Sequence, residues 1–568
     1  GSDYSKLTVI LITFLVASAI DLLGIGIIGP YIAILIDPDS FRLPFNLEKY
    51  FSNFGFFDNI IVFSSFVLFL VFLFKSLVGV CVNKIIIDFG FFQADRLRSV
   101  LIRKYFSMPY KDYVKGNSAD YIYNITHLSE QYARGILSSI LRLVSEGITL
   151  IAIIALLFFE IGILLLILIL ISVIIVYFYD YFFKVRIKRY GHLSNMHSTN
   201  MVRDINEGIG GLKEIRSLNK ERFFYNIFKE NSLNYAIAGS RSTLIETIPR
   251  YAVEFILISF FIAVVLSSGR ILSDFLPTLG ILGVASMRLI PSVSLISTSI
   301  SQLRYGQDAV NRLHDDLIGY SESNFDYNYS SKKENSNIVL KESKKFQSLE
   351  IRDISFSYDS KSRLLINHLS LKINAGDSIG IMGKSGSGKT TLIDILLGLL
   401  EVKSGDVLLN NRVLKNDLYL LRNCVAYLPQ EVFLIDSSVK NNIALGVPDS
   451  EILLEKLNDS IKKARLDDFV EQLEEGINTN IGEKGSLLSG GLRQRIVLAR
   501  SFYFDKAILV MDESTSSLDA ETEKEIMNEI RTLKGIKTII VISHKIEILK
   551  FCDKVYDLKN GKLDILKS

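Results

Sequence analysis

The chain has 568 residues, 49% of them hydrophobic, and a formal net charge of +3. That length exceeds one ordinary core, the near-neutral charge predicts no nucleic-acid partner, and the long apolar runs exclude a wholly soluble protein. Three scattered cysteines, Cys81, Cys424 and Cys552, and six dispersed histidines give neither a disulfide framework nor a zinc-ligand spacing.

A bilayer core of about 30 Å needs roughly 20 apolar residues in a helix. Six runs meet that: Leu7 to Leu35, Ile60 to Val82, Ile136 to Phe159, Ile161 to Phe183, Tyr251 to Ser268 and Phe275 to Ile300. The first is too long for a signal-peptide core and has no small-residue cleavage site, so it reads as a true span. Only Glu160 separates the third and fourth, which predicts a tight hairpin. The polar segments after the second and fourth runs are helical in pattern. They hold Arg96, Arg98, Arg103, Lys104, Lys111 and Lys115, and then Lys184, Arg186, Lys188, Arg189, Lys213, Arg216 and Lys220. The positive-inside tendency puts both segments, the N-terminus and everything after the sixth run in the cytoplasm. Residues 36 to 58, outside on this topology, alternate aromatic and charged residues. They read either as a short helix lying along the interface or as a loop covering the helix ends.

Charges stand inside these runs: Lys75 in the second, Arg250 with Glu254 at the start of the fifth, and Arg288 in the sixth. At 1.5 Å per residue, Lys75 and Arg288 lie roughly 20 to 25 Å below the outer surface, with Arg250 slightly deeper. Ionisable groups in spans are costly and face a cavity or a partner. Three readings follow: pairing with Asp21 and Glu146, helices that continue into the cytoplasm where charge costs little, or a cationic belt for an anionic head group.

From about residue 348 the sequence alternates strands and helices. The expected organisation is a transmembrane domain at 1–319, a Ser-, Asn- and Lys-rich tether at 320–347, and a nucleotide domain at 348–568. The stretch "DSIGIMGKSGSGKTTLIDILLGLL" is an apolar strand, a glycine-rich turn and an apolar helix, with G-x-x-x-x-G-K-[ST] at Gly383 to Thr390. Glycines let backbone N–H groups wrap phosphate oxygens at a helix N-terminus. Lys389 then reaches the terminal phosphates, and the Thr390 hydroxyl can ligate Mg²⁺. "KAILVMDESTSSLD" is a strand ending in Asp512 and Glu513. One carboxylate can hold Mg²⁺ and the other can orient or deprotonate the attacking water, although an acidic pair opening a helix fits the segment alone as well. His544 follows another strand. A lone histidine is more often structural, but a strand end lets it contact a γ-phosphate.

"LSGG" at Leu488 to Gly491 looks like the signature of ATP-binding cassette (ABC) proteins, and with it the whole chain resembles an ABC exporter half-transporter. The resemblance implies an all-α membrane domain of six long transmembrane helices followed by an α/β P-loop ATPase domain. It implies ATP hydrolysis coupled to transport, with ATP and Mg²⁺ as ligands. By this resemblance Tyr358 stacks on adenine. The phosphate loop is Gly383, Lys384, Ser385, Gly386, Ser387, Gly388, Lys389 and Thr390, with Thr391, and Ser489, Gly490 and Gly491 complete a site on the opposite cassette. Thr390, Gln430 and Asp512 hold the metal, and Glu513, His544 and Gln430 serve catalysis. Ser517, Leu518 and Asp519 resemble the loop that communicates between cassettes, and Thr479 to Gly485 the exporter-specific loop. One departure is Leu492, where the family usually has glutamine; it puts one side-chain contact in doubt. Because the signature acts on the opposite cassette and no repeat is present, a homodimer with two ATP sites is expected.

"ETIPRYAVEFILI" and "SMRLIPSVSLISTSI", with Lys75 in "LFKSLV", resemble the lipid-linked oligosaccharide flippases of bacterial protein glycosylation. That implies a membrane-lipid cargo with a polyprenyl tail, a pyrophosphate contacted by Lys75, Arg250 and Arg288, and a glycan, moved across the bacterial inner membrane with the cassette in the cytoplasm. The alternatives are a drug or peptide exporter, a flippase for a lipid A-like anionic lipid, and a nontransporting, ATP-gated channel regulator. Intact Glu513 and His544 speak against the last.

Overall fold

The computed structural model describes residues 2–36, 60–161, 163–267, 272–319, 346–359, 363–415, 417–513 and 520–567. The outer segment, read at 36–58, therefore lies outside the described residues save Ile36, as does most of the tether. The chain forms two compact units, residues 1–106 with 116–321, and residues 107–115 with 322–568.

The first unit is helical. Helix α1 (Ser2–Gly26) stops one residue before α2 (Ile28–Ile36), so the first apolar run is two helices. Pro30 explains the break, because a proline ring clashes with the carbonyl four residues back, here Gly26. The ladder resumes at once, with Tyr31 N–H donating to the Ile27 carbonyl at 3.0 Å. Helix α3 (Ile60–Ser107) has 48 residues; α4 (Ser138–Ile161) includes Glu160, where the hairpin break was expected, and α5 (Ile163–Gly210, 48 residues) follows it. Then come α6 (Glu221–Ser267, 47 residues), α7 (Leu272–Tyr305) and α8 (Gln307–Gly319). Helices of that length run roughly 70 Å, against about 30 Å of hydrocarbon. The polar segments after the second and fourth runs are thus largely continuations of the apolar helices. Among the described residues, Thr8–Ile32, Ile60–Ser107 and Ser118–Phe158 are long and apolar enough to cross a membrane.

Burial follows the apolar stripes. Ile25, Ile153, Leu157, Ile256 and Leu289 tie α1, α4, α6 and α7 together, and Ile10, Phe14, Val82, Ile86 and Leu141 tie α1, α3 and α4. Pro249 sits inside α6 and cannot donate to Ile245. The carbonyl it leaves accepts instead from the Tyr179 hydroxyl of α5, at 3.1 Å.

The second unit holds an antiparallel sheet of β1 (Ser348–Phe356), β2 (Ile366–Asn374), β4 (Ser404–Leu409) and β5 (Arg412–Val413), in the order β2-β1-β4-β5. A second sheet has the order β10-β9-β3-β8-β7-β6, with β3 (Ser378–Met382), β6 (Val425–Leu428), β7 (Ile508–Asp512), β8 (Thr538–Ile542), β9 (Lys554–Lys559) and β10 (Lys562–Lys567). Strands β3, β7 and β8 are parallel and almost wholly buried, which is why they read as unbroken apolar runs. Helix α9 (Lys389–Leu396) follows β3, and α10 (Leu454–Lys463) packs on α11 (Gly490–Phe504) beside the second sheet. The short helix Tyr110–Lys115 belongs to this unit: Tyr110 packs on the cassette core and Lys115 pairs with Asp359.

The closest helix packing gives a test. A Cβ on Gly191 of α5 would collide with the Tyr305 backbone, whereas one on Gly147 would meet nothing within 4 Å. Gly191→Ala is expected to cost about 1–3 kcal/mol and Gly147→Ala no more than about 0.5 kcal/mol, measured by thermal unfolding of the purified protein.

Candidate functional site

In parallel sheets, ligands collect at the carboxyl ends of the strands. Adjacent strands β3, β8 and β7 there present the phosphate loop, His544 and the Asp512–Glu513 pair. Gly388 caps α9 with φ 103°, a conformation that side chains resist. A Cβ on Gly383 would come within 2.7 Å of the Leu558 carbonyl and 2.8 Å of Ser387 Oγ, so only glycine leaves this backbone open. Lys389 Nζ donates to the Gly383 and Lys384 carbonyls, at 2.8 and 3.2 Å, and stands 3.2 Å from His544 Nε2. Ser387 Oγ is buried and has no hydrogen-bond partner among the described residues. An orphaned hydroxyl, a glycine cradle and a lysine at a helix start fit a nucleotide's phosphates. Lys384, Ser385, Gly386 and Thr390 are exposed around them, and Thr391 is buried beneath.

Glu513 is the hub of the other side. Its φ of 44° is unusual for a side-chain-bearing residue, and its N–H is held by the Ile542 carbonyl at 3.0 Å. One carboxylate oxygen lies 3.0 Å from His544 Nε2, and the other accepts from Gln430 Nε2 at 3.5 Å. The three residues expected in catalysis are therefore brought together. Burial raises the Asp512 carboxyl above its ordinary range; the Tyr427 hydroxyl, donating at 3.4 Å, opposes this and the Glu513 charge adds to it. Asp394 of α9, 8% exposed, is pushed up to about 6 by burial and then by Asp512. Thr390, Gln430 and Asp512 offer only oxygen ligands, the donor set that Mg²⁺ takes. Sequence reasoning missed Tyr427 and Asp394. Their signal was a polar group at a strand or helix position otherwise reading as core.

Tyr358 lies edge-on to Phe356 at 5.1 Å between ring centres, which holds the ring for stacking. Ser489 caps α11 by accepting from the Leu492 N–H at 3.3 Å, with Gly490 exposed and Gly491 half-buried in its first turn. Leu492 packs on the core beneath, so its apolar side chain has a place. Ser489, Gly490 and Gly491 make no described contact with the phosphate loop. The loop 517–519 lies outside the described residues.

In the helical unit, a cavity of about 400 Å³ opens among α1, α3, α4 and α7, lined by Asp21, Lys75, Arg142, Glu146 and Arg288 among others. Asp21 joins two cations, with Oδ1 3.2 Å from Lys75 Nζ and Oδ2 accepting from Arg288 Nη2 and Nε at 2.9 and 3.1 Å. Glu146 lies 3.5 Å from Arg288 and accepts from Ser292 at 2.7 Å. The structure thus brings Lys75 and Arg288 together through the pairing with Asp21. Arg250 is exposed on α6 and does not line this cavity. Arg142, overlooked in the sequence because it sits near the start of a run, lines the cavity with no carboxylate in ion-pair distance among the described residues.

Residues 7–290 match the family description "ABC transporter transmembrane region", and residues 366–516 match "ABC transporter". The ATP-dependent lipid A-core flippase of Pseudoalteromonas translucida is 38% identical over 217 residues, 38% of this chain and 37% of that one. The flippase of the same name from Ralstonia nicotianae is 36% identical over 217 residues, again 38% and 37%. The matched stretch thus spans little more than a third of these relatives. A bacterial Atm1-family ABC exporter solved with ATP bound superposes with a TM-score of 0.79 at 18% identity, covering 99% of this chain and 94% of that one, which shows the shared fold.

Asp394 carries a pH prediction. Its folded-state pKa of about 6 lies above the ordinary 3.8, so the folded chain binds this proton more tightly than the unfolded one. The stability it contributes is full below its unfolded pKa and is lost as pH rises through its folded one. Asp394→Asn is expected to flatten the fall in unfolding temperature across that window, read by thermal unfolding of both proteins over a pH series.

Proposed function

The chain belongs to the ABC transporter family, with the layout of an exporter half-transporter, and on that premise we propose that it uses ATP to flip a lipid-linked oligosaccharide. The cargo is a polyprenyl-pyrophosphate glycan carried from the cytoplasmic to the outer side of a bacterial inner membrane. The observation that carries this reading is the pair Lys75 and Arg288 facing a cavity among membrane helices. Pyrophosphate is a compact anion of charge two or more, for which lysine and arginine in a low-dielectric space are suited partners. The tail can stay in the bilayer while the head uses the cavity.

The nucleotide residues do the driving. The loop from Gly383 to Thr391 holds the phosphates with its N–H groups and Lys389, and Tyr358 holds the base. Thr390, Gln430 and Asp512 would hold Mg²⁺, which supplies charge that stabilises phosphate oxygens. Glu513 takes the proton of, or orients, the attacking water, and His544 and Gln430 fix its two oxygens. Ser489, Gly490 and Gly491 come from a second copy, so the working assembly is a homodimer.

The relatives named lipid A-core flippase favour a second reading, a phosphorylated lipid A-like cargo for the same cations. The test is ATP-dependent movement of a polyprenyl-pyrophosphate oligosaccharide across reconstituted liposomes. Glu513→Gln is expected to lower both hydrolysis and movement by roughly 10²-fold or more. Arg288→Ala is expected to lower lipid moved per ATP hydrolysed by about tenfold. A wild type that hydrolyses ATP and moves only the lipid A-like molecule would reject the oligosaccharide in favour of the second reading.

A further inference from the structure

Asp21 spends one negative charge on two cations from two other helices. Its oxygens divide cleanly, Oδ1 to Lys75 of α3 and Oδ2 to Arg288 of α7, and the residue is 8% exposed. Glu146 supplements only Arg288, and its Oε2 also accepts from Ser292. The cavity therefore presents Lys75 and Arg288 already paired, with Arg142 as its further cation. A bilayer is full of monoanionic lipid head groups, and an unguarded cationic cavity would fill with them.

We infer that Asp21 is a specificity-determining residue, a resident counter-ion that competes with incoming anions and admits only head groups carrying two or more negative charges. A head group of charge one would replace Asp21 like for like. It would gain no net attraction, and it would strand a buried carboxylate without partners, which is strongly unfavourable. A head group of charge two or more gives Lys75 and Arg288 one negative charge each, and that surplus offsets the loss of the Asp21 pairs. Chelation by two phosphoryl groups also matches the planar guanidinium of Arg288 better than a single carboxylate oxygen does. This inference rests on the anionic-lipid reading above, and shares its source of charge between a pyrophosphate and a lipid bearing two phosphates.

The experiment measures ATPase stimulation of the full chain in liposomes of neutral lipid, titrated with a polyprenyl-pyrophosphate oligosaccharide, a bisphosphorylated lipid A-like lipid, or phosphatidylglycerol. Wild type is expected to respond to a multiply charged lipid at least about tenfold more sensitively than to phosphatidylglycerol. In Asp21→Asn that ratio collapses by about tenfold, as phosphatidylglycerol gains a response and the multiply charged lipid acts at lower concentration; Asp21→Glu restores the ratio. A purely structural Asp21 would instead weaken every response together. Wild type that answers phosphatidylglycerol as readily as the multiply charged lipids overturns the filter even if Asp21→Asn does not fold. An unchanged ratio in Asp21→Asn overturns it as well. A response to the lipid A-like lipid and not to the pyrophosphate lipid rejects the oligosaccharide cargo while the ratio still decides the role of Asp21. No response to any of them rejects both.

Discussion

One carboxylate, that of Asp21, decides how the membrane helices meet around the cavity. A lysine and an arginine inside apolar helices each carry a desolvation penalty that packing alone cannot offset, and neither can leave the bundle without a partner. By taking one cation from α3 and one from α7, Asp21 fixes the rotation of three helices at once. The apolar contacts then fall into place on either side of it, Phe14 and Val82 towards one end and Ile25, Ile153 and Leu289 towards the other. The Ser18–Thr149 hydroxyl pair, buried at 2.9 Å, adds the α1–α4 link. Polar contacts set the register, and hydrocarbon contacts fill in the density.

The nucleotide unit is organised by the same economy. Three buried parallel strands end side by side, and each delivers one kind of group: a glycine cradle with its lysine, a carboxylate pair, a histidine. The strained backbone of Glu513 turns its side chain back across the neighbouring strand end, where His544 and Gln430 hold it. Tyr427 and Asp512, half-buried and hydrogen-bonded, form a polar cluster with the buried Asp394 of α9. Burial and then the Asp512 charge raise the proton affinity of Asp394 and of Tyr427, a state that a divalent cation with its own charge would reverse.

Much of this was legible in the sequence because it is local. The phosphate loop and the strand-end carboxylates are each set by a few adjacent residues, and the structure has them where the sequence put them, whereas Glu160, read as the hairpin break, lies inside the helix Ser138–Ile161. What was not legible depends on contacts between distant segments. The break in the first apolar run follows from Pro30, which was visible, but hydropathy outweighed it. The sequence offered pairing with Asp21 and Glu146 as one reading, which the ion pairs of Lys75 and Arg288 bear out, but not which cations take part: depth alone grouped these two with Arg250, which lies elsewhere on an exposed face. The place of Leu492 shows only once the core under α11 is known. The membership of residues 107–115 in the cassette unit also has no local signature, since Tyr110 finds its packing in a core built from residues far downstream.

Pro249 and Tyr179 give α6 a mechanical character of their own. A helix of this length with every ladder bond intact behaves as a stiff rod, so a small rotation at one end appears as a large sweep at the other. At Pro249 one bond of that rod is missing, and the vacant carbonyl is held by a phenol from the neighbouring rod. The joint therefore resists bending only as long as two rods stay side by side. Sliding α5 along α6 by a fraction of a turn would release the phenol and soften the joint, making the flexibility of one helix a readout of the alignment of both.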